Sequence, residues 1–148
     1  MVGLSGGGWT TTVYSALDTR IAVSVPVAGT RPRSLACGLN PEDPEQRLDN
    51  LVPDNKYGNL YVLGSDGGRR QVQILNKRDN IAFEVMCSYL DPQDLTSKLK
   101  AYELEVQART SGSYHVCIDE GSMSHQISAF ALTNYVMPAF SHRAINCP

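Results

Sequence analysis

The sequence contains no apolar run that approaches the ~20 residues of a membrane-spanning helix. It also has no excess of basic residues. Its 13 lysines and arginines and 15 aspartates and glutamates leave a formal net charge of −2, so we expect no nucleic-acid partner. The four cysteines include no C-x-x-C pair, which argues against a structural zinc site. Their even number permits disulfides but does not show them.

The composition is that of a folded domain. Hydrophobic residues make up 42% of the 148 residues and charged residues 19%, which is typical of a globular chain that buries one sizeable core. We find no internal repeat and no low-complexity tract. The sequence therefore indicates a single globular domain.

Helical patterns alternate with buried-strand patterns along the chain. Three segments predict strands: the nearly continuous apolar run RIAVSVPVAG (20–29), RRQVQILNKRD (69–79) with Val72, Ile74 and Leu75 as its apolar residues, and SYHVCIDE (113–120). Segments 9–18, 94–112 and 125–140 predict helices, and 59–65 predicts a short helix or turn. This alternation favours an α/β fold with a parallel sheet and right-handed crossovers. Residues 37–55, rich in proline and acids, predict a loop with a short helix.

Two of the predicted helices carry an apolar stripe. In 94–112 the stripe consists of Leu95, Leu99, Tyr102 and Val106, and Gly112 is the expected stop. In 125–140 the expected face consists of Ile127, Phe130, Ala131, Asn134 and Met137, with Ser124 as the N-cap.

The opening segment MVGLSGGGWTTTVY is crowded with glycine, which indicates a backbone shape that other residues cannot adopt. It could form a phosphate-binding loop, a strained turn that presents a nucleophilic serine, or a flexible N-terminus. A phosphate loop of the G-x-x-x-x-G-K-[ST] type needs lysine where this chain has Trp9, and an indole cannot supply the required charge.

Residues 3 to 7 match the nucleophile-elbow pattern G-x-S-x-G. In such an elbow, Ser5 would occupy a strained turn between a strand and a helix, and Gly3 and Gly7 would be small because the backbones crowd there. The N–H of Gly6, at the positive end of the helix, would be one oxyanion donor. An ordinary serine in a glycine-rich turn is the alternative.

A serine nucleophile needs a histidine to take its proton and a carboxylate to hold that histidine, in the chain order Ser, acid, His. Asp79 directly follows the strand residues QVQILNKR (71–78), at the C-terminal edge where sites in open α/β sheets lie. His125 lies in the loop after the last predicted strand. The sequence thus predicts a Ser5–Asp79–His125 triad.

Other candidates fit these roles less well. His115 lies inside a predicted strand, and His142 lies near the C-terminus, where a surface position is expected. Asp66 belongs to an S-D-G-G turn, where aspartate commonly bonds its own backbone. Asp18 and Asp119 do not follow the strand that should supply the acid. No histidine pair has metal-ligand spacing, so we predict neither a metal nor a cofactor.

Together, GLSGGGWTT, IAVSVPVAG, GRRQVQILNKRD and IDEGSMSHQIS resemble the C-terminal half of an α/β-hydrolase of the esterase type. The resemblance implies part of a doubly wound, mostly parallel sheet with three strands in this chain. It implies Ser5 as nucleophile, Asp79 as orienting acid, His125 as general base and acid, and Gly6 as an oxyanion donor. The implied substrate is a small-molecule carboxylic ester.

Only Met1 and Val2 precede Gly3, although an elbow serine normally ends a buried strand. We therefore expect residues 1–148 to form one partial domain, with roughly a hundred or more residues of βα structure upstream or a partner chain in their place. The alternative function is that of an inactive or truncated hydrolase-like fragment that acts as a binding module.

Overall fold

Four parallel strands form one sheet in the order β1-β2-β3-β4. The computed structural model describes residues 1–31, 57–79 and 92–147. The strands are β1 (Val2–Leu4), β2 (Val23–Val27), β3 (Arg70–Asn76) and β4 (Ser113–Asp119). The predicted α/β class with a parallel sheet is confirmed, and so are the three predicted strands. The short β1 is a fourth strand that the sequence did not predict.

Helices connect these strands. They are α1 (Gly6–Leu17), α2 (Tyr57–Ser65) and α3 (Pro92–Gln107). A C-terminal helix follows β4 and consists of α4 (Ala129–Ala131), a π-helical segment (Leu132–Val136) and α5 (Met137–Phe140). The predicted loop at 37–55 lies outside the described residues.

Two apolar clusters cover the two faces of the sheet. One cluster joins α1, α2 and α3 to β3 and β4, and the predicted stripe of α3 belongs to it (Leu95, Leu99, Tyr102, Val106). The other joins β2, β3 and β4 to the C-terminal helix. All five residues of β2 are buried, which explains the continuous apolar run in its sequence. Each large side chain buried here contributes about 1.5–3 kcal/mol.

The C-terminal helix differs from its prediction. It begins at Ala129, and the N-cap is Ser128, whose side chain accepts the N–H of Ala131; Ser124 is not the cap. The buried face is Ala131, Tyr135, Val136, Pro138 and Ala139. Phe130, Asn134 and Met137 of the predicted face are exposed. The π-helical segment explains the shift, because its wider turn displaces the faces expected from a 3.6-residue period.

Gly112 does not end α3, which stops five residues earlier. A Cβ at Gly112 would lie only 1.9 Å from the carbonyl oxygen of Ser65 and 2.1 Å from that of Arg69. This glycine therefore lets the chain pass close to the start of β3 before it enters β4.

Side chains of α3 accept hydrogen bonds from backbone N–H groups on the outer edge of β4. Gln107 Oε1 accepts the N–H of Tyr114 at 2.9 Å, and Glu103 Oε2 accepts the N–H of Val116 at 2.9 Å. Residues four apart share one face of a helix, so both side chains face β4. They accept hydrogen bonds from two backbone N–H groups that a further strand would otherwise use.

The edge at β1 has no such cover within the described residues. Met1 and Ser5 bond through their backbones to β2. Because successive residues of a strand alternate in direction, the backbone groups of Val2 and Leu4 face the opposite way. Those groups have no hydrogen-bond partner in the described part of the chain.

A disulfide joins Cys117 of β4 to Cys147 in the C-terminal segment. Cys37 and Cys87 lie outside the described residues. No helix in the described ranges is both long enough and apolar enough to cross a membrane.

Candidate active site

Ser5 occupies a sharp turn between the end of β1 and the start of α1. Its backbone has φ 57° and ψ −124°, a conformation that costs a non-glycine residue about 1–3 kcal/mol and that recurs at functional sites. The turn is held from both sides, because the Ser5 N–H donates to Val27 O at 3.0 Å and the Ser5 carbonyl accepts the Trp9 N–H at 2.9 Å. The surrounding sheet and helix thus fix a strained serine in place.

The glycines around Ser5 have different roles. A Cβ on Gly3 would lie 2.2 Å from the carbonyl oxygen of Gly7, so Gly3 must be small, as expected. A Cβ on Gly7 or on Gly6 would meet no atom of the described residues within 4 Å. Crowding at the elbow therefore constrains Gly3 alone, and the expectation that Gly7 must be small for the same reason is wrong.

A second pair of glycines, not singled out from the sequence, brings α1 close to β2. A Cβ on Gly8 would lie 2.5 Å from Val27 O, and a Cβ on Gly29 would lie 2.2 Å from the backbone nitrogen of Trp9. This close contact seats the first turn of α1 directly over the end of β2.

The first turn of α1 offers unused backbone donors. The N–H groups of Gly6, Gly7 and Gly8 donate no hydrogen bond to any described residue, and the Ser5 side chain does not cap the helix. There is also no acidic residue in this turn. These donors, together with the positive end of the helix dipole, can stabilise a negative charge that develops beside Ser5.

The acid and base candidates are in direct contact. Nδ1 of His125 lies 2.7 Å from Oδ2 of Asp79. The Asp79 side chain is fully buried and that of His125 is 18% exposed. A buried carboxylate against Nδ1 favours the tautomer with hydrogen on Nδ1, so that Nε2 is left as an acceptor. Nε2 is buried and has no hydrogen-bond partner among the described residues.

Asn76 supports this pair, and sequence reasoning missed it. Its Nδ2 donates to Asp79 Oδ2 at 3.1 Å and to the carbonyl oxygen of Gln126 at 2.9 Å. The side chain is fully buried at the last position of β3. The available signal was an amide at the last position of β3, three residues before the candidate acid.

Ser5, Asp79 and His125 each follow the carboxyl end of a strand, namely β1, β3 and β4. Since all four strands are parallel, the three residues lie at the same end of the sheet, the carboxyl ends of its strands, where sites in open α/β sheets are found. No hydrogen bond joins the Ser5 hydroxyl to His125 within the described residues.

The competing histidines and aspartates lie elsewhere. His115 is in β4, with Nδ1 3.9 Å from Glu103 Oε2, and burial lowers the pKa of its imidazole. His142 is exposed. The Asp66 carboxylate accepts the N–H and hydroxyl of Ser111, 45 residues further along the chain.

Histidine, cysteine, aspartate and glutamate side chains form no group of three that could hold a metal within the described ranges. Comparisons of this chain with protein-family models, with curated proteins and with solved structures found no match.

Proposed function

We propose that the protein is a serine hydrolase that cleaves small carboxylic esters through an acyl-enzyme, with the esterase-type α/β-hydrolases as its relatives. The observation that carries the proposal is the 2.7 Å contact between Asp79 and His125, since it leaves a buried, unpartnered imidazole nitrogen at the sheet edge that also holds Ser5. A serine in a strained strand-to-helix turn supports the same function.

In the proposed reaction, Nε2 of His125 accepts the hydroxyl proton of Ser5 as Oγ attacks the ester carbonyl. The imidazolium then gives this proton to the leaving alcohol. Asp79 holds the ring orientation and stabilises the imidazolium. A water molecule, activated by the same nitrogen, attacks the acyl-serine, and the carboxylic acid leaves as the Ser5 hydroxyl is restored.

The oxyanion that forms in each half-reaction needs hydrogen-bond donors. The N–H of Gly6, directly after the nucleophile, is the donor that we assign from this chain, because it is exposed and unpaired with the described residues. One such donor contributes about 10²–10³-fold to kcat in hydrolases of this chemistry.

A fluorophosphonate probe tests the proposal, because it labels only an activated serine. We expect labelling of the wild type, loss of labelling in Ser5→Ala, and unchanged labelling in the control Ser141→Ala, which removes an exposed hydroxyl on the C-terminal helix. Hydrolysis of p-nitrophenyl acetate should follow the same pattern. A folded wild type that neither reacts with the probe nor hydrolyses the ester would contradict the proposal.

The second candidate function is a hydrolase-like binding module without turnover. It is favoured by the absence of a hydrogen bond between Ser5 and His125 in the described part of the chain. Catalytic hydrogen bonds are often long before substrate binds, so this geometry does not exclude activity. The labelling experiment separates the two, since a binding module would retain its fold and remain unlabelled.

A further inference from the structure

The segment between β4 and the C-terminal helix carries His125, and a single buried carboxylate bonds both of its ends. Asp119 is the last residue of β4 and is fully buried. Its Oδ1 accepts the Gly121 N–H at 3.0 Å and the Ser128 hydroxyl at 2.7 Å. Its Oδ2 lies 3.4 Å from the Ser128 nitrogen. The carboxylate therefore closes the loop formed by residues 120–128.

Ser128 connects Asp119 to the first turn of the C-terminal helix. The same Oγ that donates to Asp119 accepts the Ala131 N–H at 3.0 Å and caps the helix. The backbone carbonyl of Asp119 also accepts the Lys77 N–H at 3.2 Å, two residues before Asp79. Asp119 thus connects the His125 loop, the helix that follows it and the segment that carries the acid.

We propose that Asp119 is a positioning residue that sets His125 against Asp79, an inference that rests on the proposed function for its catalytic consequence. A buried charge is retained at low cost only where hydrogen bonds compensate it. Here the compensating donors among the described residues come from the two ends of the His125 loop. Without them, the imidazole would lose its fixed distance to Asp79.

The test compares the wild type with Asp119→Asn. The amide keeps the size of the side chain, but it has one acceptor oxygen and turns an NH2 group toward Ser128. We expect kcat for p-nitrophenyl acetate to fall about 10- to 100-fold, because a small displacement of a reacting group has an effect of that size. KM should change less than kcat, since no contact to the ester is removed.

A structural readout that does not need turnover accompanies the kinetics. A histidine Nδ1 proton bound to a carboxylate gives a strongly downfield NMR resonance. We expect this resonance in the wild type, its loss in Asp79→Asn, and its loss or broadening in Asp119→Asn while the other amide resonances stay in place. Ser128→Ala, a milder change, should weaken the resonance in the same direction if Asp119→Asn fails to fold.

Asp66→Asn is the matched control. Asp66 makes the same pair of bonds to the N–H and hydroxyl of a serine, at 3.0 and 2.7 Å, but it lies before β3, at the opposite end of the sheet. This variant should keep both the resonance and kcat.

The results separate the two proposals. A wild type without ester turnover that shows the downfield resonance, which Asp119→Asn then loses, overturns the hydrolase proposal and leaves the positioning role intact. A folded Asp119→Asn protein with the wild-type resonance and kcat overturns the positioning role alone. A wild type without the downfield resonance overturns it as well, because there is then no fixed His125–Asp79 bond for Asp119 to set.

Discussion

Oδ2 of Asp79 accepts two hydrogen bonds that come from different directions: one from His125 at 2.7 Å and one from Asn76 at 3.1 Å. The histidine is 46 residues away along the chain and the asparagine three. The neighbouring parallel strands β3 and β4 bring the histidine loop beside the acid. A carboxylate bonded in this way is held in one position, as an orienting acid requires.

Replacing the acid tests this arrangement directly. In Asp79→Asn the amide can present its NH2 group to Nδ1, which favours the wrong imidazole tautomer, and kcat should fall by about 10⁴-fold. Steady-state hydrolysis of p-nitrophenyl acetate measures the effect. The control is Asp18→Asn, which alters an exposed aspartate paired with Arg20 and should leave kcat unchanged. Wild-type turnover in Asp79→Asn would exclude Asp79 as the orienting acid.

Asn76 donates a hydrogen bond to Asp79, so Asn76→Asp should lower both the stability of the protein and kcat. The replacement has nearly the same shape, but it removes the NH2 donor and places a second carboxylate against Asp79. Asp79 Oδ2 and the Gln126 carbonyl each lose the hydrogen bond that Asn76 donates, and we expect the free energy of unfolding to fall by about 1–3 kcal/mol. Urea denaturation followed by circular dichroism measures the loss. An unchanged midpoint would show that the amide contributes nothing.

Gly3→Ala and Gly7→Ala form a matched pair at the elbow. A methyl on Gly3 would overlap the Gly7 carbonyl, and such overpacking costs about 1–3 kcal/mol. A methyl on Gly7 meets no atom of the described part of the chain within 4 Å, and alanine is favoured over glycine in a helix by about 1 kcal/mol. Thermal unfolding should therefore show a lower Tm for Gly3→Ala and an equal or higher Tm for Gly7→Ala. The reverse order would contradict the structure of the turn.

His115 should make folding sensitive to mild acid. Burial lowers the pKa of its imidazole below the ordinary 6.5, with smaller contributions from Arg70 and Lys100 in the same direction and from Glu103 in the opposite one. Above pH 6.5 both the folded and unfolded states are neutral at this site. As the pH falls below 6.5, the unfolded state takes up a proton first, so stability decreases until the folded-state pKa is reached.

Urea denaturation between pH 7.5 and 5 measures this effect. His115→Gln, which cannot titrate, should show a weaker pH dependence than the wild type. His142→Gln, at an exposed position, should retain the dependence of the wild type. Equal slopes for His115→Gln and the wild type would show that the imidazole titrates normally in the folded protein.

The apolar patterning was sufficient to predict the sheet and most of the helices. The stripe from Leu95 to Val106 has the period of a helix and packs as expected. The apolar run that became β2 was nearly continuous because both faces of the sheet are covered there. The short β1 could not be predicted, because its three residues form a strand only by pairing with β2.

Errors arose where tertiary contacts override local pattern. The C-terminal helix starts late because Asp119 holds Ser128 in the loop, and its buried face moves because of a π-helical turn. The spacing of its apolar residues predicts neither feature. For the site, strand order was enough to pair Asp79 with His125. Asn76 was missed because an amide at a strand end has no distinctive pattern until its partners are known. The roles of Ser5 and Gly6, and the expected structure upstream of Met1, remain predictions.

The side chains of Glu103 and Gln107 also make the two lateral edges of the sheet unequal. With those two groups occupying the donors of β4, lateral extension by a further strand is blocked on that side, whereas the outward backbone groups of Val2 and Leu4 have no partner among the described residues. Within the part of the chain that the structure describes, β1 is thus the side on which this sheet can be extended. A strand added there would move the Ser5 turn from the margin of the sheet toward its middle.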